Sequence, residues 1–113
     1  MPITNSGKNI ALDALGTSGG FVALFNGDPS GAGNEISGGT YARQSVTWNA
    51  ASGGNLDSSN VPTFDVPAGA TVNYIAVYSA STGGTLLAYK DVPSETFTSA
   101  GTYAITDLDI NLV

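Results

Sequence analysis

Apolar, β-branched and aromatic residues gather in the middle of the chain from Thr63 to Ser79, TFDVPAGATVNYIAVYS, with polar turn residues between them. Two segments rich in apolar, β-branched and aromatic residues flank the breaker run Pro67-Ala68-Gly69, a pattern that predicts a strand, a tight connection and a second strand. Phe64 and Val66 share one face of the first arm. In the second, Val72, Tyr74 and Ala76 fall opposite Asn73, Ile75 and Val77, so both faces carry apolar residues. A strand apolar on both sides needs cover on both sides, which places this pair inside a β-sandwich.

The rest of the chain supplies the other strands. Phe21 to Phe25 reads as a buried strand ending at the turn Asn26-Gly27-Asp28-Pro29. In Tyr41 to Asn49, YARQSVTWN, alternation sets Ala42, Gln44, Val46 and Trp48 against Tyr41, Arg43, Ser45 and Thr47. Ala50 to Asn60 reads as a linker with Leu56 tucked in. Ser81-Thr82-Gly83-Gly84 signals a hairpin with Thr85 to Val92 as the return strand, Thr96 to Thr98 is a further short strand, and Thr102 to Val113 alternates to the end. The prediction is an all-β, single-domain antiparallel β-sandwich spanning residues 1–113, with about seven or eight strands. One short N-terminal helix is expected over residues 5–16: Asn5 or Ser6 caps it, Ile10, Ala11, Ala14 and Leu15 form its apolar stripe, and Gly16 ends it. So short a helix needs that stripe packed on the sheet or on a neighbouring subunit. Residues 26–40 form a long Gly-rich loop with Ile36 as its one apolar anchor, a candidate binding element.

Composition removes most chemistry. The 113 residues include no Cys and no His, which excludes disulfides, thiol nucleophiles, His-dependent triads and zinc sites built on either residue. Nine acidic and three basic residues give a net charge of -6, which repels nucleic acid and anionic membranes, so neither is expected as a partner. The start, MPITNSGKNI, has no signal-peptide core, and no run approaches the ~20 apolar residues of a membrane span. Asp107, Asp109 and Asn111 spell the start of a Ca²⁺ loop, but Leu112 stands where the glycine belongs, so they read as a solvated strand face. Gly31-Ala32-Gly33 lacks the third glycine and the helix of a nucleotide fingerprint. No cofactor is expected. Arg43 and Lys90 are expected to pair with carboxylates, and Trp48 to pack in the core. The candidate assembly contacts are Ile10, Leu15, Ile36, Tyr41 and Arg43. A reading of another class is a carbohydrate-binding module, in which Tyr41, Trp48, Tyr78 or Tyr89 stacks a sugar.

The order of motifs carries one further signal. NSGKNIALDAL, FVALFNGDPSGAGNEISGGTYARQSVTW, NAASGG, PTFDVPAGATVNYIAVYSASTGGT and the closing GTYAITDLD together resemble a family of small tailed-phage virion structural proteins often labelled tail-fibre-like. NEISGGTYARQSVTW and FDVPAGATV are the most specific parts; Phe25-Asn26 departs from the His-Thr type of pair expected there. The resemblance implies a non-enzymatic virion protein, made in the host bacterial cytoplasm and carried on the virion exterior. Its partners are then other virion proteins and further copies of itself, as a homo-oligomer. An acidic sandwich with no shaft-like repeat favours a capsid decoration or cement protein bound to the major capsid protein, with a small tail or tail-fibre protein bound to tail proteins as the alternative.

Overall fold

The computed structural model describes residues 1–31 and 34–112, and among these described residues Thr4 opens the one helix. Its backbone is extended and its hydroxyl accepts the Gly7 N–H at 3.1 Å, satisfying one of the donors that the first turn of a helix leaves free. The helix α1 (Asn5–Ser18) runs through Gly16 and stops at Gly19, whose N–H donates to the Leu15 carbonyl at 2.7 Å. Nine strands follow: β1 (Phe21–Asn26), β2 (Asn34–Glu35), β3 (Gln44–Ser45), β4 (Asn55–Asp57), β5 (Thr63–Val66), β6 (Thr71–Tyr78), β7 (Leu86–Thr96), β8 (Gly101–Ala104) and β9 (Asp109–Asn111). All pairings are antiparallel.

β1 is central. One edge pairs with β6, which carries β7 beyond it, and the other edge is shared by the short strands β2 and β3. The ribbons β5–β8 and β4–β9 form the second layer. Val22 and Leu24 of β1, Val72, Ile75 and Val77 of β6, and Phe64 and Val66 of β5 meet Ile36, Val46, Ile105 and Leu108 in one buried core between the layers. This is the all-β sandwich that the alternation predicts, and Phe64, Val22, Leu24 and Val72 are fully enclosed in it.

Several local expectations give way to tertiary pairing. Val72 shares the core with Ile75 and Val77 instead of lying opposite them; the alternation breaks where the register with β7 shifts, Asn73 alone lying between Val72 and Tyr74 while three residues, Val92 to Ser94, lie between their partners Asp91 and Glu95. Pro93, which has no N–H for the ladder, is one of these three, within the bulged stretch of β7. β7 therefore runs unbroken through Pro93 to Thr96, where two segments were expected. The last segment breaks the other way, into β8 and β9, with Ile105 and Leu108 both turned into the core between them. Only Gln44 and Ser45 of the 41–49 stretch pair as a strand, with a single bridge from Trp48 to Ser58 further on. The 26–40 segment is not all loop: β2 pairs with the end of β1, and Ile36 N–H donates to the Leu24 carbonyl at 2.9 Å.

The helix is seated differently from the expected stripe. It lies on β4 and buries only Leu12, while Ile10, Ala11 and Ala14 face outward. Polar contacts to loop backbone set this orientation: Asn9 Oδ1 accepts the Gly54 N–H at 2.9 Å and Asp13 Oδ1 accepts the Ala51 N–H at 2.7 Å. Small residues allow the close seat. A Cβ at Gly16 would press on Trp48 and Leu56, and one at Gly19 would come within 2.8 Å of Val77 Cγ1.

Candidate functional site

The most heavily bonded polar group of the protein sits where β2 and β3 leave a gap along β1. In that gap the Leu24 N–H has no strand partner and donates instead to the Tyr41 hydroxyl at 3.0 Å. Tyr41 donates onward to Glu35 Oε2 at 2.8 Å, and Arg43 grips the same carboxylate with Nε and one terminal nitrogen at 3.0 and 2.9 Å. The remaining terminal nitrogen of Arg43 donates to the carbonyls of Ala80 and Gly83, at 2.9 and 2.8 Å. Its guanidinium also lies 3.9 Å from the centroid of the Tyr78 ring, which stacks at 6.1 Å on Phe25. One cation thus ties β2, the 41–43 segment and the β6–β7 hairpin to the outer face of the sheet.

Electrostatics agree with this geometry. Hydrogen bonding to Glu35 holds the Arg43 guanidinium even more firmly in its charged form, against the opposing effect of burial. Burial pushes the Tyr41 phenol well above its ordinary range, and only in part does the Leu24 N–H donation counter this. The Arg43 side chain is 8% exposed and that of Glu35 28%, so the pair is shielded from water far more than a surface ion pair. Removing one partner would strand the other, at a cost on the order of 2–3 kcal/mol.

The candidate assembly residues separate cleanly by place. Tyr41 and Arg43 are engaged within the fold through this network. Ile36, at 7% exposure, is a core residue and offers no surface patch. Leu15 is half-buried, while Ile10 is 74% exposed. A second exposed apolar residue, Ile3 at 53%, lies over Gly7 of the helix. The sugar-stacking aromatics are not brought to one site either. Trp48 packs against the core and donates its indole N–H to the Gly19 carbonyl at 2.8 Å, Tyr41 stacks on Phe64 at 6.2 Å, Tyr78 lies under Arg43, and Tyr89 stands 46% exposed on β7.

A groove of about 620 Å³ opens between β7 and β9, lined by Val77, Leu87, Ala88 and Ile110. Lys90 and Asp109 approach to 3.9 Å across it. Asp107 lies outside β9, apart from the ladder that holds Asp109 and Asn111. Among the described residues no group of three or more acidic side chains is placed to hold a metal ion, and Ala32 and Gly33 of the G-x-G segment lie outside them. Glu35 is the residue that sequence reasoning missed. The only trace of it is its spacing from Arg43, which acquires meaning once β2 and β3 share the edge of β1.

No helix among the described residues is long and apolar enough to cross a membrane. Neither a curated protein nor a solved structure matches the chain. A family model described as Podophage GP4 fiber I protein gp80 does match, over residues 14–112, a span that includes the whole Glu35–Tyr41–Arg43 network and every strand of the sandwich. The chain therefore belongs to this family of phage fibre-type structural proteins.

Proposed function

We propose that this protein is a non-enzymatic component of the virion exterior that works as a small tail-fibre-type protein, held in place by contacts with other virion proteins. The family match carries this reading, since the description it bears is that of a fibre protein. The structure adds a physical support: the most shielded charge pair and its surrounding hydrogen bonds join elements of the fold to one another, as a scaffold requires. A decoration protein on the capsid is the second reading, favoured by the net charge of -6 and by a sandwich without a shaft among its described residues.

Copy number separates the two. A tail component follows the symmetry of one tail and stays at order ten copies, whereas a shell protein occupies equivalent sites by the order of a hundred. Quantitative mass spectrometry of purified particles is expected to place the chain with the tail proteins. Abundance within a few-fold of the major capsid protein would replace the tail reading with the decoration reading.

A further inference from the structure

Asn26-Gly27, at the turn after β1, is the one Asn-Gly pair in the chain. Such a pair is chemically labile in water. Glycine has no Cβ to hold its backbone nitrogen away from the preceding side chain, so that nitrogen, once it has lost its proton, attacks the asparagine Cγ. The N–Cγ bond forms, the Cγ–Nδ2 bond breaks, and Nδ2 takes up a proton and leaves as ammonia. Water then opens the resulting succinimide at either carbonyl, leaving aspartate or isoaspartate.

In this fold one side chain holds both reacting groups. Asn73 of β6 accepts the Gly27 N–H on Oδ1 at 2.6 Å and donates from Nδ2 to Asn26 Oδ1 at 3.2 Å. The two orientations fix each other: a backbone N–H can only donate, so Oδ1 of Asn73 faces it, and Nδ2 is left to face the oxygen of Asn26. Asn26 is exposed to water, so burial does not shield it. Gly27 has a φ of 108°, where an L side chain is strained, so the turn calls for the residue that makes the pair labile.

We infer that Asn26 is a deamidation site of this protein and that Asn73 is the latch that keeps it closed in the folded chain. An amide oxygen is far too weak a base to take the Gly27 proton, so its hydrogen bond stabilises the unreactive N–H form. The second bond ties down the Asn26 carboxamide, and turning Cγ onto the Gly27 nitrogen means giving up both. Loss of the latch reaches further than the turn. Isoaspartate routes the main chain through its side chain and adds a carbon to the end of β1, where Asn26 pairs with Asn34 and Phe25 with Glu35. The Arg43–Glu35 ion pair rests on that short pairing, so the modification loosens β2 and the network it carries.

The test follows conversion of the Asn26 amide to acid by peptide mass spectrometry, in the full chain kept folded in mildly alkaline buffer and in the same chain in concentrated urea. Asn26 is expected to convert far more slowly in the folded chain. Asn73→Ala, checked as folded by circular dichroism, is expected to raise the folded rate roughly tenfold, the equivalent of one lost hydrogen bond. Tyr41→Phe, which weakens the fold without touching this turn, is expected to keep the slow rate. Asn73→Asp retains an acceptor for the Gly27 N–H and is expected to stay close to the unmodified chain, a comparison that stands even if Asn73→Ala does not fold. An Asn26 that survives in urea, or that converts equally fast folded and in urea, would overturn the proposal. So would a folded Asn73→Ala whose rate is unchanged, or lower, since Asn73 would then be idle or would assist the attack. A rise in Tyr41→Phe as large as in Asn73→Ala would assign the protection to global stability, and a urea-like rate in Asn73→Asp would remove the Gly27 hydrogen bond from the account; either result sinks the latch.

Discussion

Tyr41 shows how much one side chain can connect. Its hydroxyl accepts from the backbone of β1 and donates to Glu35, while its ring stacks on Phe64 in the core. In the unfolded chain this phenol ionises near pH 10; in the fold, burial holds its proton to higher pH. Above about pH 10 the unfolded state thus binds fewer protons than the folded state, and stability falls as pH rises. The contribution is complete below the unfolded value and is lost above it. Tyr103 is shifted the same way, by burial and then by Glu95, so part of the decline is independent of Tyr41. Tyr41→Phe should lose about 1 kcal/mol at neutral pH, where the Leu24 N–H is left without its acceptor, yet decline less steeply above about pH 10. Urea unfolding across that range reads both effects, and curves that stay parallel would show that the phenol is not held protonated. At this scale the sequence was half legible. That Arg43 pairs with a carboxylate follows from charge alone, but which carboxylate depends on β2 and β3 converging on one edge of β1.

Elements were readable where local pattern and burial coincide. β1, β5 and β6 are legible because each buries apolar side chains that stand close together in the sequence, β1 as an unbroken apolar run and β5 as an alternation. What alternation does not carry is a change of register. The alternation of β6 breaks at Asn73, opposite the bulged stretch of β7, and the Asn73 side chain holds the turn after β1: Oδ1 accepts the Gly27 N–H at 2.6 Å, and the amide donates to Asn26 at 3.2 Å. Asn73→Ala should therefore cost about 1–2 kcal/mol. Hydrogen exchange would report the effect locally, with protection lost at the Gly27 amide while the β5–β8 ladder is unchanged. Full protection at Gly27 would mean that the turn holds without the side chain. The helix teaches the same lesson from the other direction. Helical spacing was visible, but the cap is Thr4 in place of the expected Asn5 or Ser6, and the facing was decided by Asn9 and Asp13 reaching loop amides from residues 51–54.

The whole molecule assigns different roles to two isoleucines that look alike in the sequence. Ile36, in a Gly-rich segment, has the local signature of a surface anchor, but pairing of β2 with β1 draws it into the core at 7% exposure. Ile36→Asp would place an unpaired carboxylate there, at a cost of ~4 kcal/mol or more, against a total stability of ~5–15 kcal/mol for a domain of this kind. Circular dichroism and sedimentation should find this variant unfolded or close to it, and a folded Ile36→Asp with a normal melt would show that the residue does not pack as described. Ile10, by contrast, has the local signature of a packed stripe residue but lies on the outward side of α1, 74% exposed. By itself, then, the sequence determined the class of the fold, the main strands, the lack of thiol and imidazole chemistry and the phage virion resemblance, because these depend on composition, ordered motifs and a period-two pattern within a few residues. Tertiary structure alone decided the partner of Arg43, the register shift between Asn73 and β7, the burial of Ile36 and the outward face of α1. Each of these is fixed by contact between segments far apart in the chain, which no local period encodes.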